Sequence, residues 1–210
     1  TIQSGNGYNS SYSWSSLFVT NSFAGFSGNG DNTAPNLTQV TAITTPSNNT
    51  TPSYVFTTDE AGTISTSISQ GFSTSSSAST GSDQTIIFNT LPEGTYSGET
   101  ITVTDTAGNA GSISIPDFVI DTTAPVITVT SGTDTVERLS SWTDAGATSD
   151  TGETVTASGT VDTTTVGTYT ITYNVTDSSG NAATAVTRTV TVVDTTAPVI
   201  TVTSGTDTVE

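Results

Sequence analysis

The sequence predicts an all-β protein made of small β-sandwich domains in tandem, and three observations lead to this prediction. A seventeen-residue block, DTTAPVITVTSGTDTVE, occurs at 121–137 and again, unchanged, at 194–210. A long repeat at a fixed spacing, here 73 residues, indicates an array of one small domain. The chain is rich in Thr, Val and Ile, which favour strands. Short alternating apolar runs, separated by turn residues, are typical of a β-sandwich.

Composition limits the partners that the chain can bind. It has 19 acidic residues against two basic ones, Arg138 and Arg188, and its formal net charge is −17. Nucleic acids and anionic lipid surfaces both attract positive charge, so we expect neither as a partner. The negative charge suits a protein kept soluble in salt-rich or calcium-rich water, where cations screen or bridge the acids. No run of eighteen apolar residues occurs, so we expect no insertion into a membrane.

Missing residue types argue against enzymatic function. Without His or Cys, the sequence cannot build a Ser-His-Asp or Cys-His nucleophile system, or the usual zinc sites. Without Lys it can form neither a Schiff base nor a Lys–Asn cross-link. A pair of carboxylates could hydrolyse glycosides, but so small a repeat unit offers no deep cleft. We therefore predict that the chain is not an enzyme.

Three short linkers of the pattern D-x-T-A-P divide the chain, at 31–35, 121–125 and 194–198. Because Pro fixes its own φ and extends the residue before it, each linker should be a stiff connector. The predicted division is a segment rich in aromatics, Ser and Gly at 1–30, domains at 31–120 and 121–193, and the start of a further repeat at 194–210. We therefore expect the chain to be a segment of a longer array.

Six strands are predicted in each complete domain from the alternating runs. In the first domain they lie near 37–43, 53–58, 63–68, 84–89, 95–104 and 112–120. In the second domain they lie near 125–130, 133–138, 142–149, 154–160, 168–176 and 184–193. The Ser-rich stretch 70–82 is interpreted as a solvated loop or a poorly specified edge strand.

The last two strands of each domain carry the clearest shared motif. G-T-Y at 94–96 leads to V-T-D-T-A-G-N-A at 103–110, and G-T-Y at 167–169 leads to V-T-D-S-S-G-N-A at 175–182. Each D-x-x-G-N sequence predicts a tight turn between two strands, with Gly at positive φ. Within 168–176, apolar and polar residues alternate, so one face of this strand should lie in a core.

This G-T-Y…V-T-D-x-x-G-N-A pattern, with its D-x-T-A-P linkers, resembles bacterial immunoglobulin-like repeats, and the second domain resembles the hyalin-repeat branch. The resemblance covers residues 31–210. It implies tandem immunoglobulin-like β-sandwich domains of a secreted or cell-surface protein, without fixing a function. It also implies that Tyr96 and Tyr169 form tyrosine corners, in which the hydroxyl bonds to the backbone upstream.

In a sandwich of this type the linker, the loop after the second strand and the last turn meet at one end of the domain. Two candidate metal sites follow: Asp31, Glu60 and Asp105 in the first domain, and Asp121, Asp150 and Asp177 in the second. Asp59 and Glu153 are alternatives for the middle member of each set. Clustered carboxylates suit Ca²⁺, which takes about six to eight oxygen ligands. The other interpretation is that each aspartate only caps its own turn. No further cofactor is expected.

Residues 1–30 hold aromatic side chains among Ser, Asn and Gly. They are interpreted as the end of a preceding β-domain, as a strand docked onto a neighbouring subunit, or as an aromatic platform for sugars. Residues 194–210 hold only the first strand or two of a repeat, so we expect them to be disordered or paired with another chain.

The function expected from these features is structural. The chain would be a stalk, spacer or fibre body of an extracellular repetitive surface protein. Its partners would be neighbouring repeats, with self-assembly into a fibre as an open possibility. The alternative is a fibre module that binds a carbohydrate or a receptor through the aromatics of 1–30.

Overall fold

The described part of the chain, residues 30–205 of a computed structural model, contains β-strands and loops but no helix. The first domain contains β1 (Leu37–Thr41), β2 (Ser53–Thr58), β3 (Gly62–Thr66), β4 (Ser77–Ala78), β5 (Gln84–Ile87), β6 (Gly94–Tyr96), β7 (Thr100–Thr104), β8 (Ala110–Ser114) and β9 (Phe118–Ile120). The second contains β10 (Ile127–Val129), β11 (Thr135–Glu137), β12 (Ala147–Ser149), β13 (Thr156–Ser158), β14 (Gly167–Asn174) and β15 (Val186–Val193). The predicted all-β class is confirmed. The interpretations of the aromatic segment before Gly30 lie outside the described residues.

The first domain packs three small sheets around one hydrophobic core. Their strand orders are β1-β2-β5, β4-β3-β7-β8 and β6-β9. Fourteen buried residues within 43–120 form the core. Aromatic rings fill much of it: Tyr54 and Phe56 are fully buried, and the ring of Phe118 stacks on that of Tyr96 with 4.8 Å between centroids. A core with this much apolar surface provides a strong hydrophobic driving force for folding.

The second domain has a smaller core and a buried charge. Its sheets have the strand orders β11-β15-β14-β13 and β10-β12. Two clusters of four and three buried residues make up its core. On β14, Ile171 and Tyr173 are buried while Thr170 and Asn174 are exposed, so the predicted alternation is confirmed. Arg188 on the neighbouring strand β15 is only 4% exposed.

Arg188 ties three segments of the second domain together. Its Nη1 donates to Asp134 at 2.8 Å, its Nε donates to the Tyr173 hydroxyl at 3.2 Å, and its Nη2 donates to the carbonyl of Thr130. The Tyr173 hydroxyl in turn donates to Asp144 at 2.6 Å. Burying a charge is costly unless the charge is paired and hydrogen-bonded, and here it is both. The small core therefore depends on this polar network as well as on apolar packing.

The two domains begin with the same local structure. In each, the residue just before the first strand donates its backbone N–H to an aspartate. This aspartate directly follows the strand that pairs with the first one, which is β2 in the first domain and β12 in the second. The distances are 2.7 Å to Asp59 and 2.8 Å to Asp150. Each of these aspartates donates its own backbone N–H back to the same residue. Asp59 therefore corresponds to Asp150, and the next position holds Glu60 in the first domain and Thr151 in the second.

Two strands predicted to be continuous are interrupted in the first domain. The predicted strand 95–104 divides into β6 and β7, and 112–120 divides into β8 and β9, with the halves in different sheets. Gly98, at a φ of 72°, turns the first of these strands, and Pro116, which has no N–H for a sheet ladder, interrupts the second. In the second domain the matching strands β14 and β15 run on without a break. The prediction of a strand over 142–149 is wrong before Ala147.

The motif shared by the two domains has the structure predicted for it. Gly108 and Gly180, in the two D-x-x-G-N turns, have φ values of 96° and 94°. The hydroxyls of Tyr96 and Tyr169 each donate to a carbonyl four residues upstream, at 2.9 and 2.8 Å. These are the tyrosine corners implied by the resemblance, and their role is structural.

Segment 194–205 forms no strand in the described structure. Its apolar residues Val199, Ile200 and Val202 are 89, 88 and 85% exposed. In the identical sequence of the second domain, Ile127 lies in the core and is 7% exposed. The strands that cover Ile127 have no counterpart beside Ile200 among the described residues. Pairing of this segment with another chain stays a prediction.

Candidate functional site: the domain junctions

Each junction starts from an aspartate that fixes the entrance of the linker. Asp31 and Asp121 use one carboxylate oxygen, Oδ1, to accept the backbone N–H of the residue two positions later, at 3.0 Å in both. Such a bond holds a tight turn without any ligand. The second oxygen of each aspartate points to the rest of the junction, and its surroundings differ from one junction to the next.

The D-x-x-G-N turn lies against the linker in both domains, as predicted. The side chain of Asn109 donates to the carbonyl of Asp31 at 3.2 Å, and that of Asn181 donates to the carbonyl of Asp121 at 2.9 Å. The same amide groups also donate to the first residue of their own turns, Asp105 and Asp177. These hydrogen bonds, together with backbone N–H groups of the turn, lower the pKa of both aspartates.

Three predicted site residues of the first domain come together. Carboxylate oxygens of Asp31, Glu60 and Asp105 all lie within 4.8 Å of one another. Oε2 of Glu60 is buried and accepts no hydrogen bond from any of the described residues. Loss of hydration raises the pKa of Glu60, and the negative charges of Asp31, Asp105 and Asp59 raise it further. Three hard oxygen donors, one of them buried without a partner, fit a cation such as Ca²⁺.

The second predicted set, Asp121, Asp150 and Asp177, does not form such a trio within the described residues. A hydroxyl lies between two of them instead: Ser179 Oγ donates to Asp121 Oδ2 at 2.7 Å, and the Ser179 backbone N–H donates to Asp177 at 2.9 Å. The first domain has Ala107 at the position of Ser179 and therefore no such hydroxyl. Asp150 already accepts the N–H that precedes β10.

The alternative members of the two sets also have local partners. Asp59 accepts the backbone N–H that precedes β1. Glu153 accepts hydroxyl hydrogen bonds from Ser149 and Thr151, which lower its pKa. Thr151 holds the position that Glu60 holds in the first domain, so the third acid of a trio is missing there. The first and second junctions thus use different chemistry at equivalent positions.

Hydrogen bonds join the two domains directly at the junction of Asp121. Asn48, in a loop of the first domain, donates its backbone N–H to the carbonyl of Ser179 and its side-chain amide to the carbonyl of Gly180, each at 2.9 Å. Ser179 and Asn181 are 6 and 9% exposed. The loop of the first domain that contains Asn48 therefore binds the D-x-x-G-N turn of the second domain.

A glutamate of the preceding domain holds each of the last two linkers. Glu93 accepts hydrogen bonds from the backbone N–H of Thr122 at 3.1 Å and from the hydroxyls of Thr122 and Thr123. Glu137 holds the corresponding Thr195 and Thr196 in the same way. The threonine hydroxyls lower the pKa of both glutamates. The hydrogen bonds of both carboxylates therefore favour the folded state at neutral pH, and this contribution weakens as the pH falls through the lowered pKa values.

The third linker aspartate has yet another partner. Arg138 Nε lies 2.9 Å from Asp194 Oδ2, in an ion pair about 40% exposed on both sides. The three linkers thus share the pattern D-x-T-A-P, but their aspartates lie beside different groups: an acid cluster, a hydroxyl and a guanidinium. Sequence analysis missed the partners Asn48, Ser179, Glu93 and Glu137. The one available signal was the Ala107-to-Ser179 difference between the two aligned turns.

The paired sheets, tyrosine corners and linker joints define a tandem immunoglobulin-like β-sandwich protein. Residues 122–192 match the family model described as bacterial surface protein, Ig-like domain. Residues 83–145 match that of the bacterial Ig-like domain, group 3, across the second linker. The chain carries bacterial immunoglobulin-like repeats of surface proteins. No curated protein matches it.

The two family matches indicate what kind of protein the chain is and where it is located. Domains of these families are typically structural modules rather than enzymes, and the families imply a protein of the cell surface or the extracellular space. Within residues 30–205 there is no helix of sufficient length and apolar character to cross a membrane. By these family matches, the chain is a structural segment of a surface protein.

Proposed function

We propose that the chain is a stiff spacer, a stalk or fibre-body segment that holds other parts of a surface protein away from the cell. The observation that carries this proposal is the joint at Asp121, where Asn48 of one domain is hydrogen-bonded to the turn of the next. An extended linker held by Glu93 on one side and by Asn181 on the other limits rotation further. A net charge of −17 favours separation of neighbouring copies, which suits an exposed stalk.

Loss of the joint should let the two domains move independently. We expect the double variant Asn48→Ala, Ser179→Ala to loosen the joint, since each hydrogen bond contributes about 1 kcal/mol, or about fivefold in the ratio of docked to undocked forms. The measurement is ¹⁵N relaxation, which gives a rotational correlation time for each domain. Ser178→Ala, one position away in the same turn, is the matched control and should leave both times unchanged. Domains that already tumble independently in the unmodified chain would contradict the spacer proposal.

We also propose that Ca²⁺ binds the first domain at Asp31, Glu60 and Asp105. The buried Oε2 of Glu60 supports this, because it is an oxygen ligand that no hydrogen-bond donor among residues 30–205 satisfies. A cation there would neutralise the repulsion among the three carboxylates and hold the first linker against the loop after β2. No equivalent site is proposed at Asp121, where the Ser179 hydroxyl already satisfies the aspartate.

Calcium should stabilise the first domain through Glu60. The pKa of Glu60 is raised in the folded state, so its ionised form destabilises the fold above that pKa, and this penalty is relieved as the pH falls through it. At neutral pH we expect a hundredfold excess of Ca²⁺ over its Kd to raise the Tm of the first domain by about 10 °C. Glu60→Gln should raise the metal-free Tm and remove most of this response.

Glu153→Gln is the matched control for calcium, because Glu153 lies beside the corresponding loop of the second domain and is held by hydroxyl groups. It should leave the calcium response intact. A Tm that does not change with Ca²⁺ in the unmodified chain would leave turn capping as the only role of these aspartates.

A further inference from the structure

The far end of the second domain exposes two large apolar side chains. Leu139 is 69% exposed and Val166 is 55% exposed. Both lie at the end of the domain from which the chain leaves: Leu139 follows β11, whose last residue pairs with Val193, and Val166 precedes β14, whose first residue pairs with Val192. Exposed apolar groups gathered at one end of a domain indicate a contact surface.

The backbone at Leu139 is also unusual. Its φ is 65°, and among the described residues it is the only one other than glycine with a positive φ. Its backbone N–H donates to the carbonyl of Thr163 at 2.7 Å, which holds this conformation in place. Glycine or asparagine would adopt the same conformation with less strain and without exposing an apolar side chain. Neither the turn nor the core of the second domain therefore requires a leucine here.

The junction at Asp121 shows which residues of the first domain correspond to the end of β11. Ser47 pairs in parallel with Ile120, the residue before the linker aspartate, as the last residue of β11 pairs with Val193. The residue after Ser47 is Asn48, which seats the turn of the second domain. The residues that follow β11 are Arg138 and Leu139.

These two residues border a cleft beside the third linker. Leu139 lines a cleft of about 550 Å³ together with Arg138, Asp194, Thr196, Ala197 and Pro198. Arg138 holds the linker through Asp194, and Leu139 beside it is exposed. In this register Arg138 holds the position of Asn48, and the exposed Leu139 is the next residue along the chain.

We propose that Leu139, supported by Val166, is the docking surface for the repeat that begins at Asp194, and that it receives the D-x-x-G-N turn of that repeat. The inference rests on the spacer function proposed above and specifies an apolar joint where the first joint is polar. The surface continues an interface that the chain already shows. Docking would bury the leucine that the isolated domain leaves exposed in a strained conformation.

The repeated block allows a direct test. Because 194–210 is identical to 121–137, adding a copy of residues 138–193 after Glu210 completes a second copy of the whole domain. The chain has no cysteine, so Leu139→Cys introduces a single thiol. We expect a thiol reagent to label it at least about tenfold more slowly in the extended chain than in the present one, because docking covers it. Val40→Cys, at a 48% exposed site on β1, should react at the same rate in both chains.

A second variant separates this inference from the spacer function. In the present chain, Leu139→Asn should raise the Tm of the second domain by about 4 °C, since it relieves the positive φ. In the extended chain the same variant should shorten the rotational correlation time of the added repeat. Equal labelling rates of Leu139→Cys in the two chains would overturn the docking surface, even if the repeats tumble together. Independent tumbling of all repeats in the unmodified extended chain would overturn the spacer function as well.

Discussion

Replacing Arg188 with methionine is expected to lower the free energy of unfolding of the second domain by about 3–5 kcal/mol, the usual cost of removing one partner from a buried charge network. Arg188 is 4% exposed and donates to two side chains and one carbonyl. Its loss leaves Asp144 beside the buried hydroxyl of Tyr173 without a counter-charge. It also frees the loop that Thr130 and Asp134 anchor. The domain has few apolar residues to offset this, because its clusters hold seven buried residues in all.

The only other arginine of the chain provides a matched control. Arg138 forms its ion pair with Asp194 at the surface, where both side chains are about 40% exposed. Exposed pairs contribute about 1 kcal/mol or less, so Arg138→Met should cost little. A comparable loss in the two variants would show that the buried network is not what stabilises the domain.

Trp142 reports on this unfolding directly. Its indole N–H donates to the carbonyl of Thr133 at 2.8 Å, within the loop that Arg188 holds. In a Trp14→Phe background it is the only tryptophan, so its fluorescence follows the second domain alone. Urea titrations of the two arginine variants, read at this tryptophan, give the difference in stability.

Local sequence patterns predicted the parts of the fold that local chemistry determines. The alternation of 168–176 predicted the buried face of β14, and the two D-x-x-G-N turns have glycine at positive φ as expected. The same reasoning failed for 95–104, where Gly98 and the nearby change of sheet were overlooked. A periodic pattern indicates which residues face a core, but it does not show where a strand leaves one sheet for another.

The residues of the candidate site could be predicted only where neighbouring loops at one end of a domain bring them together. Asp31, Glu60 and Asp105 were grouped correctly because the linker and two loops meet at one end of a sandwich. At the second junction the same logic grouped Asp121 with Asp177 but missed the hydroxyl between them. The partner of that hydroxyl lies 58 residues away in sequence, so only the folded chain brings the two together. The sequence likewise showed Arg188 only as one of two basic residues. Its role in a buried hydrogen-bond network depends on partners that only the folded chain brings together.

Phe118→Ala is expected to lower the free energy of unfolding of the first domain by about 3–5 kcal/mol, as is typical when a buried aromatic ring is removed from a core. Phe118 is 1% exposed, and its ring stacks on that of Tyr96 with an angle of 5° between planes. The two residues are also direct partners across β6 and β9, a sheet of only two strands. The substitution therefore removes packing in a sheet that has only two strands among the described residues, with Ser47 pairing with Ile120 at its end.

Val119→Ala is the control, since Val119 is the next residue of β9, points to the opposite face and is only partly buried. It should cost about 1 kcal/mol. Thermal unfolding followed by circular dichroism measures both variants, while Trp142 fluorescence shows whether the second domain responds. We expect the Trp142 transition to stay in place, because the core residues of the second domain, within the described part of the chain, all lie between Ile127 and Val192. A Phe118 variant that moves both transitions together would show instead that the joint at Asp121 couples the folding of the two domains, and a cost no larger than that of Val119→Ala would contradict the role given to this ring pair.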